Sequence, residues 1–190
     1  VTFSAEDNSG NTGTATAVVT VTDQTSPNIT LVGQPLVTVE AGTSYAEEGA
    51  TASDNVDGDI SADITISGNV NTSAVGLYNL SYNVSDAAGN TANSVVRQIK
   101  VQDVDVPVVT SPAAITVAAT DALGTSASNT AIDSFLQTAT ANDAVNGILL
   151  VSNNAPSVFP MGATTVTFSA EDNSGNTGTA TAVVTVTDQT

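Results

Sequence analysis

Hydrophobic residues recur at every second position in short runs, separated by turn-forming Asn, Asp, Ser and Gly. That is the period of a β-strand with one buried face. At the start of the chain one alternating run (Val1, Phe3, Ala5) meets the turn Glu6-Asp7-Asn8-Ser9-Gly10-Asn11. A second run follows, Ala15, Val18 and Thr20 against Ala17, Val19 and Val21, so a hairpin is predicted. After a linker at 23–27, Pro27 opens a strand carrying Ile29, Leu31, Leu36, Val37 and Val39, which ends at Glu40-Ala41-Gly42. Further strands are predicted over Tyr45–Ala52, Ile64–Val70, Leu77–Ser85 and Thr91–Val101, with a short strand or turn over 71–76. A second linker, 102–107, leads into the same order of elements, from a first strand over 108–118 to a closing hairpin over 166–186. Residues 131–138 (AIDSFLQT) suit one helical turn or a strand, and alternation does not decide between them.

Residues 166–190 repeat residues 1–25 letter for letter, at an offset of 165 residues (Val166 on Val1). Such identity predicts a tandem array of which this chain is one window. Within the period, ATANDAVNG at 139–147 aligns with ATASDNVDG at 50–58. Phe168, Asp172 and Gly175-Asn176 fall on Tyr82, Asp86 and Gly89-Asn90. The period is therefore two related domains of about 80 residues, each the size of a seven-strand sandwich. The expected division is a closing hairpin of a preceding, truncated domain at 1–25, a first sandwich at 26–104 and a second at 105–190. A lone hairpin is marginal in water, so residues 1–25 are expected to be covered by a neighbouring repeat or by another copy of the chain.

Composition narrows the partners. Two cations, Arg97 and Lys100, face 19 carboxylates, for a net charge of −17. Nothing here neutralises phosphates, which excludes nucleic acid and an anionic membrane surface. No apolar run is long enough to span a bilayer. The chain has no His and no Cys, so it lacks the usual general base, thiolate nucleophile and thiolate metal site. The expectation is a protein that is not an enzyme.

Two stretches carry family resemblances. Residues 27–103, with the run from Val37-Thr38-Val39-Glu40 through Asp57-Gly58-Asp59-Ile60 and the closing VSDAAGNTA, resemble a bacterial immunoglobulin-like domain. Residues 107–188, with FPMGATTVTFSAEDNSGNTGTATAVVTV from Phe159 to Val186, resemble a hyalin-repeat (HYR) domain. Near-identical copies of such a pair resemble the extender region of giant bacterial surface adhesins. The resemblance implies an all-β chain of tandem immunoglobulin-like sandwiches in an elongated array, secreted to the bacterial cell surface. In the HYR-like half, Ala144, Asn146 and Ile148 stand where the first domain has Asn55, Asp57 and Asp59.

The acids gather in loops. In an immunoglobulin-like fold the B–C and F–G loops lie at the pole where the first strand enters. Asp54, Asp57 and Asp59 are on the first of these, Asp86 is on the second, and Asp23 is on the incoming linker. The second domain would bring together Asp103, Asp105, Asp143 and Asp172 with Asn146 and Asn176, and Glu40 could reach the Asp103/Asp105 linker from the far end of its strand. Converging carboxylates of this kind suit Ca²⁺, which takes six to eight oxygen ligands. Asp and Asn in such turns also serve simply to bond their own backbone, and DNVDGD is not an EF-hand loop, because no Glu occupies the twelfth position. The function expected is an extender or spacer in cell adhesion, stiffened by calcium at the linkers. The alternative is a ligand-binding module, for a glycan or, through the Thr-rich strand 14–20, for ice.

Overall fold

The computed structural model describes residues 1–189. A detached hairpin comes first, β1 (Thr2–Glu6) and β2 (Thr12–Thr16). The next strands are β3 (Asn28–Leu31), β4 (Leu36–Glu40), β5 (Ala50–Asp54), β6 (Gly58–Asp59) and β7 (Thr65–Ser67). Two long strands follow, β8 (Gly76–Asn83) and β9 (Val95–Gln102). The set then recurs with β10 (Val108–Thr110), β11 (Ile115–Ala118), β12 (Thr125–Ser126) and the helix α1 (Thr130–Gln137). It continues through β13 (Thr140–Asp143), β14 (Gly147–Leu149), β15 (Ser152–Asn153) and β16 (Val158–Phe159). The closing hairpin is β17 (Gly162–Glu171) and β18 (Thr177–Thr187).

Strand order establishes the duplication. One three-stranded sheet runs β3-β5-β6 and its counterpart runs β10-β13-β14. One four-stranded sheet runs β4-β9-β8-β7 and its counterpart runs β11-β18-β17-β15. In the second copy the second strand, β11, lies parallel to the last, β18, with Ile115 opposite Val184 and Ala118 opposite Thr187. These are tandem immunoglobulin-like β-sandwiches, each closed by pairing its early strand with its latest one.

Compactness divides the chain into two units. One comprises Val1–Leu36, Glu47–Asn69 and Asn79–Gln98, and the other Val37–Ala46, Val70–Tyr78 and Ile99–Thr190. The first unit buries Ile29, Ala52, Ile60, Leu80, Tyr82, Val84 and Ala92. Tyr82 on β8 fills the place that Phe168 fills on β17, and both are fully buried. The second unit centres on Phe168, Val166, Val184 and Val186 of the closing hairpin, packed with Phe159 and with Ile132 and Phe135 of α1. The Phe135 and Phe168 rings meet edge to face at 5.7 Å, an arrangement aromatic pairs favour.

Several elements differ from the pattern read along the chain. The strands expected from Pro27 to Glu40 and over 108–118 are each split between two sheets, as β3 with β4 and β10 with β11. The hairpin run expected through Val21 ends at Thr16, and the strand expected from Thr91 begins at Val95. AIDSFLQT is helical because Asn129 caps it, its side chain accepting from the Ala131 amide at 3.0 Å. A helix then places Ile132 and Phe135, three residues apart, on one buried face. The strand predicted from Tyr45 begins only at Ala50. Gly49 has φ +80°, a break any strand must start after, and its amide donates to the Glu47 carboxylate at 2.8 Å. That carboxylate also pairs with Arg97. Arg97 is fully buried, and its guanidinium donates to the carbonyls of Val32 and Gly49 as well. The first unit therefore encloses a cation, held by one acid and two backbone oxygens.

Removing one partner of a buried ion pair strands the other charge, which costs about 3–5 kcal/mol when the pair is wholly enclosed. Glu47 is partly exposed, so Glu47→Ala is expected to destabilise the first unit by roughly 2–3 kcal/mol. Chemical denaturation checks this, and a change under about 0.5 kcal/mol, the level of an ordinary surface substitution, would remove the ion pair from the account.

Candidate metal centre

Three turns share one construction. In the hairpin, the Asn11 amide donates to Asp7 Oδ1 and the Asn11 side chain to Oδ2, each at 2.8 Å. Asn90 bonds Asp86 in the same two ways, each at 2.7 Å, and Asn176 bonds Asp172 at 2.8 Å in both. Aspartate accepting from the backbone two to four residues on is ordinary turn chemistry. In the two domains the asparagine does a second thing. Asn90 Nδ2 also donates to the backbone carbonyl of Asp23 at 3.3 Å, and Asn176 Nδ2 to that of Asp103 at 3.1 Å. Each turn thereby holds the linker residue that precedes its own domain.

The other acid loop closes on the same point. Asp54 Oδ1 accepts from the amides of Val56 and Asp57, and Asp143 Oδ1 from those of Val145 and Asn146. The two loops are stitched together by one further side chain. Asp57 accepts from the Ala87 amide at 2.9 Å, and Asn146 in the corresponding position accepts from the Asn173 amide at 3.1 Å. An acid and an amide thus do the same work, which explains how the second loop keeps its shape after losing a carboxylate.

These contacts assemble two groups of carboxylates. Asp23, Asp54 and Asp86 form one, and Asp103, Asp143 and Asp172 the other, each offering oxygens within 4.8 Å of one another. In the second group the three residues are only 6%, 3% and 6% exposed. Asp103 Oδ1 and Asp143 Oδ2 are buried without a hydrogen-bond partner, as are Asp23 Oδ2 and Asp54 Oδ2 in the first. Buried carboxylate oxygens are normally bonded, because desolvating an unpaired charge is costly. The donor set is all hard oxygen, with no nitrogen or sulfur, which fits Ca²⁺ rather than zinc or copper.

The remaining predicted residues lie outside the two groups. Asp57 stitches the loops, as above. Asp59 accepts from the Ser61 amide and hydroxyl, at 3.0 and 2.6 Å. Glu40 reaches the second linker, where Oε1 accepts from the Val104 amide at 2.9 Å. Asp105 is exposed, and its backbone amide bonds to Asp103. Sequence reading missed the carbonyls of Asp23 and Asp103 as acceptors for the turn asparagines. Alignment of the two GN turns held the only signal for them.

The electrostatics separate the members of the second group. Burial pushes the Asp103 carboxyl up, and the neighbouring Asp143 and Asp172 carboxylates push it further. At Asp172 burial also acts upward, but the bonds from Asn176 and Ser174 outweigh it and hold the carboxyl below its usual value. Asp54 is likewise held low by the Val56 and Asp57 amides.

The comparisons with known proteins follow this duplication. Residues 29–101 match the bacterial surface protein Ig-like domain, and residues 102–186 match the HYR domain. The chain is a bacterial-surface-type Ig-like domain followed by a HYR domain. Hyalin of Lytechinus variegatus is 34% identical over 198 aligned positions, covering 98% of this chain and 36% of that protein. Hyalin of Strongylocentrotus purpuratus is 28% identical, covering 93% of this chain and 15% of that protein. The chain thus spans about a third or less of the relatives it matches. Among solved structures, the fibronectin(III)-like modules of Clostridium thermocellum CbhA are 15% identical over 85% of this chain and 95% of theirs, with a TM-score of 0.32. The Ig-like and HYR pair is an extracellular module of adhesive or structural type. Among the described residues no helix is long and apolar enough to cross a membrane.

A raised Asp103 pKa means that the folded chain holds this proton more tightly than the unfolded chain does. Ionised Asp103 therefore costs stability at neutral pH, and the cost vanishes as pH falls through the raised pKa toward the ordinary 3.8. Asp103→Asn should raise the melting temperature by a few degrees in chelator at pH 7, with the gain fading in mild acid. Melting curves across that pH range check it, and a gain independent of pH would contradict the assigned cause.

Proposed function

We propose that this chain is a repeat unit of a long, secreted bacterial surface protein, where it acts as a spacer stiffened by Ca²⁺ at its linkers. The observation that carries the reading is the pair of unpartnered, buried oxygens on Asp103 and Asp143, beside Asp172. Three carboxylates this close repel one another strongly where water is excluded. A divalent cation removes that repulsion and gives the orphaned oxygens a partner. Asp103 belongs to the linker, whereas Asp143 and Asp172 belong to two loops of the domain that follows it. An ion bound to all three fastens the linker to the pole of its own domain. Asp23, Asp54 and Asp86 would do the same for the first domain, at a more open site. Site affinity is expected near 10⁻⁴–10⁻³ M, as in extracellular calcium modules, so the linkers would stiffen only outside the cell.

The reading assigns the chain no catalytic step. It has neither His nor Cys, and its repetition suits length and spacing better than a single reacting centre. Its other partners are neighbouring repeats of the same chain.

Calcium should raise the melting temperature of the 190-residue chain, and chelator should reverse the rise. Linkers 23–27 and 102–107 should resist protease in calcium and be cut in chelator, with scattering curves that report greater flexibility there. Asp143→Asn should abolish the effect at the second linker and spare the first. Calorimetry that detects no calcium binding at millimolar concentration, with identical melts in calcium and chelator, would leave the acids as turn and solubility residues.

A further inference from the structure

One sequence of 25 residues stands in two environments. Residues 166–186 form the centre of the second unit, and the same letters at 1–21 stand free. The hairpin register is the same in both, with Phe3 opposite Ala15 and Phe168 opposite Ala180. The burial is opposite. Phe168 is fully buried, whereas Phe3 is 60% exposed; Val186 is 2% exposed, whereas Val21 is 91% exposed. Strand formation differs as well. β18 continues to Thr187, whereas β2 stops at Thr16 and, past the bonds between Ala17 and Val1, residues 18–22 lie in no strand. The reason is visible in the covered copy, where Val184–Thr187 pair with Ile115–Ala118 on one side and Val183–Val186 pair with Gly162–Thr165 on the other.

The covered copy therefore identifies what the free one lacks. We propose that the free hairpin Val1–Val21 is a docking surface for a second copy of the segment spanning residues 107–165, joined directly ahead of Val1. Ile132, Phe135 and Phe159 of that segment would bury Val1, Phe3, Val19 and Val21, as they bury Val166, Phe168, Val184 and Val186. Its Ile115–Ala118 would convert Val19–Thr22 into strand.

A glycine supports the same occupant. A Cβ on Gly178 would lie 1.8 Å from the Pro107 carbonyl oxygen, so this position is glycine because the incoming linker crosses it. Gly13 is its exact copy in sequence, and a Cβ there would meet nothing within 4 Å. The free hairpin keeps a groove for a linker that does not yet cross it. The inference rests on the reading of this chain as one repeat of an array but not on calcium, so its failure and the failure of the calcium reading are told apart.

The test compares the 190-residue chain with the same chain extended at its N terminus by a second copy of residues 107–165. In the extended chain the amides of residues 14–22 should exchange with solvent at least roughly a hundredfold more slowly, as in a core strand rather than a frayed end. Phe3→Ala and Gly13→Ala should each leave the melting of the 190-residue chain unchanged and lower that of the extended chain by several degrees. Phe135→Ser in the added copy alone should restore fast exchange. Equal exchange rates in the two chains, or substitutions that are silent in both, would overturn the assignment. So would a 190-residue chain that dimerises through Phe3, because the hairpin would then take its own copy as partner.

Discussion

Each linker is held by an asparagine amide that has two jobs. Asn90 and Asn176 close their turns on Asp86 and Asp172 and, with the same nitrogen, bond the carbonyls of Asp23 and Asp103. That bond brings a third carboxylate against two others already fixed in loops, and the crowding adds to the burial that pushes the Asp103 carboxyl up. The hairpin turn at Asp7 has the same local bonds and no linker, and its carboxylate stays exposed. Turn chemistry alone therefore does not make the site. The site needs a domain on one side and a chain entering from the other.

Much of this was legible in the letters. The repeat, the two-domain period and the alignment of ATANDAVNG on ATASDNVDG placed Asp54 and Asp143 at one position, and they occupy equivalent corners of their groups. What was not legible depended on contacts distant in sequence. Asp59 looked like a member of the first group because it shares an acid loop with Asp54 and Asp57, but its carboxylate accepts from the amide and hydroxyl of Ser61 instead, a contact no periodicity announces. Glu47 reads as one more surface acid, yet it neutralises the only fully buried guanidinium among the described residues. Hydrophobic period reports which face is covered. It does not report which polar groups meet beneath it.

The two copies of the hairpin make the same point from the other side. Ten residue pairs hold β17 to β18 and five hold β1 to β2, although the residues common to both are identical. The central rungs form from local sequence and turn geometry. The four outermost rungs use Gly162–Thr165, which lie ahead of the 25 residues the two copies share, so the outer half of the second strand has a partner only in the covered copy. Replacement of Asp57 by Asn146 shows a similar economy among polar groups, since either side chain accepts the amide that ties the two loops.

The parallel pairing of β11 with β18 has a consequence for the order in which the protein is made. Ile115 finds its partner, Val184, only near the end of its domain, so a chain emerging from its N terminus cannot complete a sandwich until nearly all of it is out. Contacts of such long sequence separation form late and slowly. An array built this way would close one domain at a time, each only after its own hairpin has been made.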